Sequence, residues 1–330
     1  MRMDYRIAIS VCCLLSGAAG CDVDDEDGDL EDLGDVEMRD CPPWKCGLNS
    51  AEVNARSIRE LNLDGLYNDD DIKIVGFVAP LGILGNYQLA VEGGELVARS
   101  GNNVLRGAAL LGATILVQKK PLHILDIQLP IPITVLGHST TASWADGAPD
   151  VHRYALVYPD LSALLGSRNV CNGNLTDLLA TTATVLGGET YDLVTKEVNA
   201  DQNRWFTIAC PNSAADKLNM LGYGPQLDFD GTGLPATPDQ RQATLKMITA
   251  DYCGDGTSYT VNGTPIQWSD AAGTVNVSGT PGPVEAIWNK HGAVCFGTPR
   301  VPGTQIACTL PSCAGHSLSE GEWITRVPAP

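Results

Sequence analysis

The sequence has few positively charged residues, and these are scattered along the chain. Lys and Arg number 21 against 39 Asp and Glu, and Lys119 and Lys120 form its one adjacent basic pair. Proteins that bind nucleic acid neutralise phosphates with clustered Lys and Arg. We therefore expect no nucleic-acid partner.

Recognised catalytic motifs are missing as well. The chain has no HExxH, GxSxG or SxxK pattern and no glycine-rich loop of the phosphate-binding kind. We expect no cofactor, and we expect a binding or structural module for a protein or glycan ligand rather than an enzyme. An exported hydrolase with an unrecognised Asp/Cys/His site remains the alternative.

The N-terminus combines Arg2 and Arg6 with an apolar stretch, residues 7–17, and with small residues before Cys21. The apolar stretch is too short to span a membrane, and this layout is typical of a secretory signal peptide. Residues 18–21 (AAGC) resemble a bacterial lipobox, with alanine where leucine is usual. We predict a signal peptide over residues 1–21 and a lipidated Cys21 that anchors the exported protein to a membrane of the cell envelope, at the outer membrane or cell surface. Ordinary cleavage, with Cys21 in a disulfide, is the alternative.

An acidic segment, residues 22–40, follows. It holds eleven Asp and Glu residues and a single opposing charge, Arg39. High charge and little apolar content predict a disordered, extended tether between lipid and body. A calcium-binding stretch and a surface-export signal are alternatives. Residues 41–330 keep a net charge of −9 out of −18 for the whole chain.

The cysteine count predicts a disulfide framework. Three of the eleven cysteines belong to the leader, and the even number in the body favours disulfides in an exported chain. A zinc site near Cys308, Cys313 and His316 is the alternative, although no second closely spaced pair accompanies it. The body cysteines are Cys41, Cys46, Cys171, Cys210, Cys253, Cys295, Cys308 and Cys313.

Short apolar runs between turn residues predict a β-rich part over residues 41–200, a sandwich or barrel. The sequence GGE at 93–95 lies between two alternating runs and predicts a hairpin. The predicted strands cover residues 72–78, 87–91, 110–117, 122–127, 131–136 and 153–157.

The pattern over residues 201–330 differs from the β-rich part, and it predicts two short helices and further strands. Ser213 can cap the first helix, which stops at Gly222, and Thr237 with Gln240 forms a capping box for the second. Leu245, Ile248 and Tyr252 share one apolar face of this second helix at helical spacing, and Gly254 is expected to end it. Strands are expected at 204–208 and 285–296, with a hairpin over 258–268. The whole chain is therefore predicted to be α+β and disulfide-stapled.

Three segments of this second part resemble the ADYC domain family of exported bacterial proteins. They are residues 205–225, 247–270 and 284–301, and the second contains the tetrapeptide Ala250-Asp251-Tyr252-Cys253 for which the family is named. The resemblance implies export and a common fold, and it implies no particular chemistry.

Within this pattern, Asp251 and Cys253 are the candidate catalytic residues. A nucleophilic cysteine requires a histidine base and a third orienting group. The competing interpretation has Asp251 accept hydrogen bonds from its neighbours and Cys253 form half of a disulfide. The family pattern favours pairing Cys253 with Cys295, while Cys171 is predicted to pair with Cys210. The near pairs Cys41–Cys46 and Cys308–Cys313 then remain.

The spacing also suggests a calcium loop. Asp228 and Asp230 occupy the first two ligand positions of an EF-hand-like segment that ends at Asp239, but Thr232 and Pro235 do not suit it. A polar turn that leads into the second helix is the competing interpretation, and it is the one we favour.

Overall fold

The computed structural model describes residues 51–328, apart from 82–84, 122–127, 172–176, 227–229, 231, 262 and 277–279. The described residues all belong to the unit that spans residues 35–330. The predictions for the signal peptide, Cys21, the acidic tether, Cys41, Cys46, Asp228 and the strand at 122–127 lie outside the described residues.

Short strands dominate the described chain. Two helices interrupt them, α1 (Ala214–Met220) and α2 (Pro238–Thr249). The strands are β1 (Glu52–Val53), β2 (Arg56–Ser57), β3 (Glu60–Asn62), β4 (Ile72–Val78), β5 (Gln88–Glu92), β6 (Glu95–Ser100), β7 (Asn103–Arg106), β8 (Thr114–Lys119), β9 (Ile131–Thr141), β10 (Val151–Pro159), β11 (Ser167–Asn169), β12 (Thr184–Gly187), β13 (Thr190–Asp192), β14 (Glu197–Asn199), β15 (Trp205–Ala209), β16 (Gln267–Asp270), β17 (Val284–Asn289), β18 (Gly292–Phe296) and β19 (Trp323–Arg326).

The largest sheet has the antiparallel order β11-β10-β9-β8-β4. Strand β4 has the predicted bounds, and β9 and β10 extend beyond theirs. The strand expected at 110–117 begins later, at Thr114, because residues Gly107–Leu110 form a 3-10 turn that buries Leu110. A β-bulge between Ala155 and Leu156 shifts the register of β10 against β9.

A second sheet, β5-β6-β7, contains the predicted hairpin. Gly93 and Gly94 connect β5 to β6 with φ angles of 58° and 72°. Two positive φ angles in a two-residue loop are the pattern of a type I′ turn, which residues with a Cβ rarely adopt. The hairpin prediction at GGE is therefore confirmed.

Local capping determines where both helices begin. The Ser213 hydroxyl accepts a hydrogen bond from Asp216 N, and Thr237 forms the predicted capping box with Gln240. The prediction that α2 extends to Tyr252 is wrong. The helix ends at Thr249, because Ala250 adopts a left-handed conformation with φ 51°.

The C-terminal sheet has the order β16-β19-β17-β18. The predicted strand pair at 285–296 is present as the hairpin of β17 and β18. The hairpin predicted over 258–268 is wrong, since β16 pairs with the distant β19, with Trp268 opposite Thr325.

The buried residues form two main clusters. The N-terminal core joins the first two sheets and the sheet β12-β15-β3, and aliphatic residues such as Leu96, Ile115 and Ile133 predominate. The C-terminal core surrounds α2 and contains Trp288 and Trp323. This β-rich architecture with two short helices and disulfides confirms the predicted α+β class.

Candidate functional site

The tetrapeptide Ala250–Cys253 forms a tight junction immediately after α2. The left-handed Ala250 turns the chain, and the N–H groups of Ala250 and Asp251 both bond the carbonyl of Lys246. This turn carries Asp251 and Tyr252 into the C-terminal core, where Asp251 is 0 % and Tyr252 1 % exposed.

A buried ion pair holds Asp251. Its Oδ2 lies 2.7 Å from Lys246 Nζ and accepts a hydrogen bond of 2.9 Å from Gly256 N. Lys246 Nζ also donates to the carbonyl of Thr195 at 2.9 Å. A charge removed from water in this way requires a partner and hydrogen bonds; Oδ2 of Asp251 has both, whereas Oδ1 is buried without a hydrogen-bond partner. Its carboxylate is therefore part of the packing.

Tyr252 belongs to a second buried network. Its hydroxyl donates to Glu285 Oε1, and Arg300 Nε reaches the same oxygen at 2.6 Å. Burial, together with the charge of Glu285, raises the pKa of Tyr252, so the phenol stays protonated and acts as a donor. The ring stacks on Trp288 with centroids 5.1 Å apart.

Cys253 is bonded to Cys308, with Cα atoms 5.7 Å apart. Cys295 is bonded to Cys313, so the predicted pairings of Cys253 with Cys295 and of Cys308 with Cys313 are wrong. The reason is non-local. Phe296 N bonds the carbonyl of Pro311, which places the segment carrying Cys313 beside the end of β18. The predicted pair Cys171–Cys210 is confirmed.

These contacts decide what the tetrapeptide can do chemically. The sulfur of Cys253 is part of a disulfide and offers no thiolate for attack on a substrate. The carboxylate of Asp251 is already engaged by Lys246. The same disulfides leave Cys308 and Cys313 without thiolates for zinc, and His316 Nδ1 lies 2.9 Å from Glu320 instead. The ADYC motif is thus a structural junction.

The segment considered as a calcium loop contains a polar turn. Asp230 Oδ1 accepts hydrogen bonds from the N–H and hydroxyl of Thr232. Asp239 lies in the first turn of α2 and contacts Lys290 Nζ at 2.8 Å. The carboxylate at the last position of the loop is therefore paired with a cation.

An open cleft of about 970 Å³ lies where β1, β2 and β3 face the β13–β14 hairpin; we call it the Arg59 cleft. Arg59 has a side chain that is 11 % exposed, and its Nη2 lies 3.3 Å from Glu60. Its Nε is buried without a hydrogen-bond partner. Other residues along the wall include Asn54, Arg56, Asn199, Gln202 and Trp205.

A second group of polar side chains lies between the sheet of β9 and β10 and the sheet of β6. His138 Nε2 is 3.1 Å from His152 Nδ1, and His152 Nδ1 is 3.7 Å from Glu95 Oε1. Burial and the neighbouring His152 lower the pKa of His138. The ring is therefore neutral at neutral pH and can use a nitrogen lone pair.

Neither group is marked by a sequence motif. Both histidines fall at or near predicted consecutive strands, so a strand pairing brings them within reach of one another. Glu95 comes from another sheet, and Arg59 belongs to a short strand with no motif. No local pattern marks either contribution.

The sequence model of the ADYC domain matches residues 107–302, which is more than half of the chain. No curated protein and no solved structure matches the chain.

Proposed function

The chain belongs to the ADYC domain family, and from this membership and the geometry above we propose that it is an exported, lipid-anchored binding module. Its ligand occupies the Arg59 cleft. The export half rests on the signal-like N-terminus and on three disulfides among the described residues. Disulfides form and persist in oxidising compartments. Among the described residues, no helix has the length and apolar content needed to cross a bilayer.

The anchor is tested by replacing the predicted lipidation site. Cys21→Ser is expected to move the exported protein from the membrane fraction to the soluble fraction, because a lipid on that sulfur would be its attachment. Cys12→Ser, in the apolar stretch before the cleavage site, is the matched control. Membrane fractionation of Cys21→Ser at the wild-type level would contradict the anchor and leave the binding proposal untouched.

The observation that carries the binding half is the buried Nε of Arg59 at the wall of an open cleft. Leaving a buried donor without an acceptor costs about 1–3 kcal/mol, and more when the group is charged. A ligand oxygen in the cleft would remove this cost if the Arg59 side chain turned its buried Nε toward that oxygen. The unpartnered nitrogen therefore favours a ligand that brings an acceptor.

The lining of the cleft favours a neutral glycan as that ligand. Glu52, Asp69 and Asp192 add negative charge to the wall, which opposes a polyanion. Amides such as Asn54 and Gln202 can donate to and accept from sugar hydroxyls. The indole of Trp205 offers an apolar face with a polar edge, which suits a sugar ring.

Neutral hexasaccharides of the chitin, cellulose and starch types are the probes, titrated into the full chain by calorimetry. We expect one type to bind and Arg59→Met to weaken it by at least about tenfold, because a hydrogen bond to a charged group contributes about 1.5–3 kcal/mol. Trp205→Ala is expected to lower the affinity as well.

Trp144→Ala is the matched control, since Trp144 is 45 % exposed and contacts Trp268 outside the cleft. Equal loss of affinity in Trp144→Ala and Trp205→Ala would contradict the cleft as the site. If no hexasaccharide binds while Arg59→Met reduces capture of a protein, the glycan assignment is wrong and a protein ligand takes its place.

A further inference from the structure

We infer that Glu95, His138 and His152 form a binding site for a transition-metal dication, best matched by Zn²⁺. The potential ligand atoms of the three side chains all lie within 4.8 Å of one another. Two imidazoles and one carboxylate are a donor set that zinc uses, with the fourth position left to water or to a bound molecule.

The separations match the edges of a zinc tetrahedron. Zinc–nitrogen and zinc–oxygen bonds of roughly 2.0–2.2 Å place neighbouring ligand atoms about 3.3 Å apart. The measured distances are 3.1 Å between the two histidine nitrogens and 3.7 Å between His152 Nδ1 and Glu95 Oε1. The remaining edge, between His138 and Glu95, is no longer than 4.8 Å.

Strand register brings the histidines together. His138 on β9 is opposite Tyr154 on β10, and His152 is opposite Thr140. Residues opposite one another in an antiparallel pair share a face, as do residues two apart on a strand. Both imidazoles therefore project from the same face of the sheet as diagonal neighbours.

The third ligand is held in place by a contact between two sheets. The Tyr154 hydroxyl accepts a hydrogen bond of 3.0 Å from Leu96 N, the residue that follows Glu95 on β6. Gly107 approaches the His138 ring so closely that a Cβ there would lie 3.0 Å from Cε1. These neighbours limit how far Glu95 and His138 can move apart.

Arg106 is the one cation that contacts the cluster among the described residues. It donates to Glu95 Oε2 at 3.1 Å and also bonds Glu92. The other carboxylate oxygen, Oε1, is the one nearer the histidines. The guanidinium thus orients Glu95 and leaves the oxygen that faces the site to the ion.

The site is accessible and chemically selective. His152 keeps 28 % of its side chain exposed and Glu95 12 %, so an ion can enter from solvent. Imidazole nitrogen favours Zn²⁺ and its neighbours in the transition series, whereas Ca²⁺ and Mg²⁺ prefer oxygen ligands. Ca²⁺ is therefore expected to bind elsewhere or not at all.

Calorimetric titration of the full chain with ZnCl₂ tests the site, after a chelator has been used and removed. We expect one tight ion per chain. His138→Gln and His152→Gln should each weaken it by more than the roughly tenfold to hundredfold that loss of an outer partner of a metal ligand costs. His316→Gln is the matched control, because His316 lies beside Glu320 and its side chain is 27 % exposed, close to the 28 % of His152. Every variant keeps residues 22–40, so zinc on that acidic segment gives the same background in all of them.

Zinc bound equally well by His138→Gln, His152→Gln and the control would overturn the inference, as would a wild-type chain without a tight site. Because a histidine substitution can disturb the sheet, Co²⁺ absorption of the wild-type protein provides a second measurement. Tetrahedral Co²⁺ with nitrogen ligands absorbs intensely in the visible region, and this is the expected spectrum. A weak octahedral spectrum that ZnCl₂ does not compete away would equally overturn the site.

Discussion

The charged side chains near the two cores differ in burial and pairing. In the C-terminal core, Glu189, Asp251 and Glu285 are each 0 % exposed. Each contacts a buried cation, at 2.7, 2.7 and 2.6 Å, and these partners are Arg241, Lys246 and Arg300. In the N-terminal region, Glu95, His138 and His152 contact one another and are only partly buried.

This difference distinguishes residues that stabilise the fold from residues that can bind a ligand. A buried carboxylate that its own chain neutralises has little left to offer a ligand, however prominent its motif. The ADYC tetrapeptide is of this kind. The partly exposed histidine pair and the wall of the Arg59 cleft can be reached from solvent, although no sequence motif marks them.

The largest expected effect comes from breaking a buried pair in the C-terminal core. Arg300→Met leaves Glu285 without its cation, and we expect a loss of about 3–5 kcal/mol in unfolding free energy. Arg204→Met is the matched control, because Arg204 and Asp64 are each more than half exposed. The control should lose no more than about 1 kcal/mol in chemical denaturation. Equal losses in both would remove the contrast between buried and exposed pairs.

Removing each C-terminal disulfide in turn compares the stability that the two crosslinked loops contribute. The pair Cys253–Cys308 spans 55 residues and Cys295–Cys313 spans 18. Chain entropy predicts losses of about 4 and about 3 kcal/mol when each pair is replaced by alanine. The measurement is urea denaturation of the two double variants. A larger loss for the short loop would mean that packing around Cys295 outweighs the loop entropy.

Gly107→Ala tests the N-terminal cluster. Gly107 has φ 52°, and an added Cβ would lie 3.0 Å from the His138 ring. We expect thermal unfolding to report a loss of about 1–2 kcal/mol from the left-handed conformation, and more from the contact. Gly101→Ala is the control, since its φ is 56° and it has nothing within 4 Å of the added Cβ. If both variants lose the same stability, the contact with His138 contributes nothing.

The smallest effect concerns a surface carboxylate. A hydrogen bond from Arg99, with a second from Arg106, lowers the pKa of Glu92 to about 2 from its ordinary value of 4.5. A depressed pKa contributes stability above pH 4.5 that is lost as the pH falls toward 2. Glu92 is partly exposed, so the effect should stay below about 1 kcal/mol. Melting temperatures of wild type and Glu92→Gln should converge between pH 5 and pH 2.5, and a constant difference would contradict the pKa shift.

Local patterns predicted much of the secondary structure. The alternating run of β4, the Gly93-Gly94 turn and the Thr237 cap are encoded by neighbouring residues, and the structure has them where expected. The end of α2 was missed, because Ala250 adopts a conformation that its own side chain disfavours.

Contacts between distant residues account for the other differences. Trp268 lies opposite Thr325, and Cys253 pairs across 55 residues with Cys308. Neither can be chosen from spacing, because many partners satisfy the same local pattern. The Arg59 cleft and the Glu95 cluster likewise depend on how separate sheets meet.

The central claim is that the ADYC tetrapeptide stabilises the fold and carries out no chemistry of its own. Mass-spectrometric disulfide mapping tests it most directly, on folded protein alkylated without reductant. We expect a peptide that links Cys253 to Cys308 and no alkylated Cys253. Alkylated Cys253 in the folded protein would contradict the account, because it would restore a thiol beside Asp251.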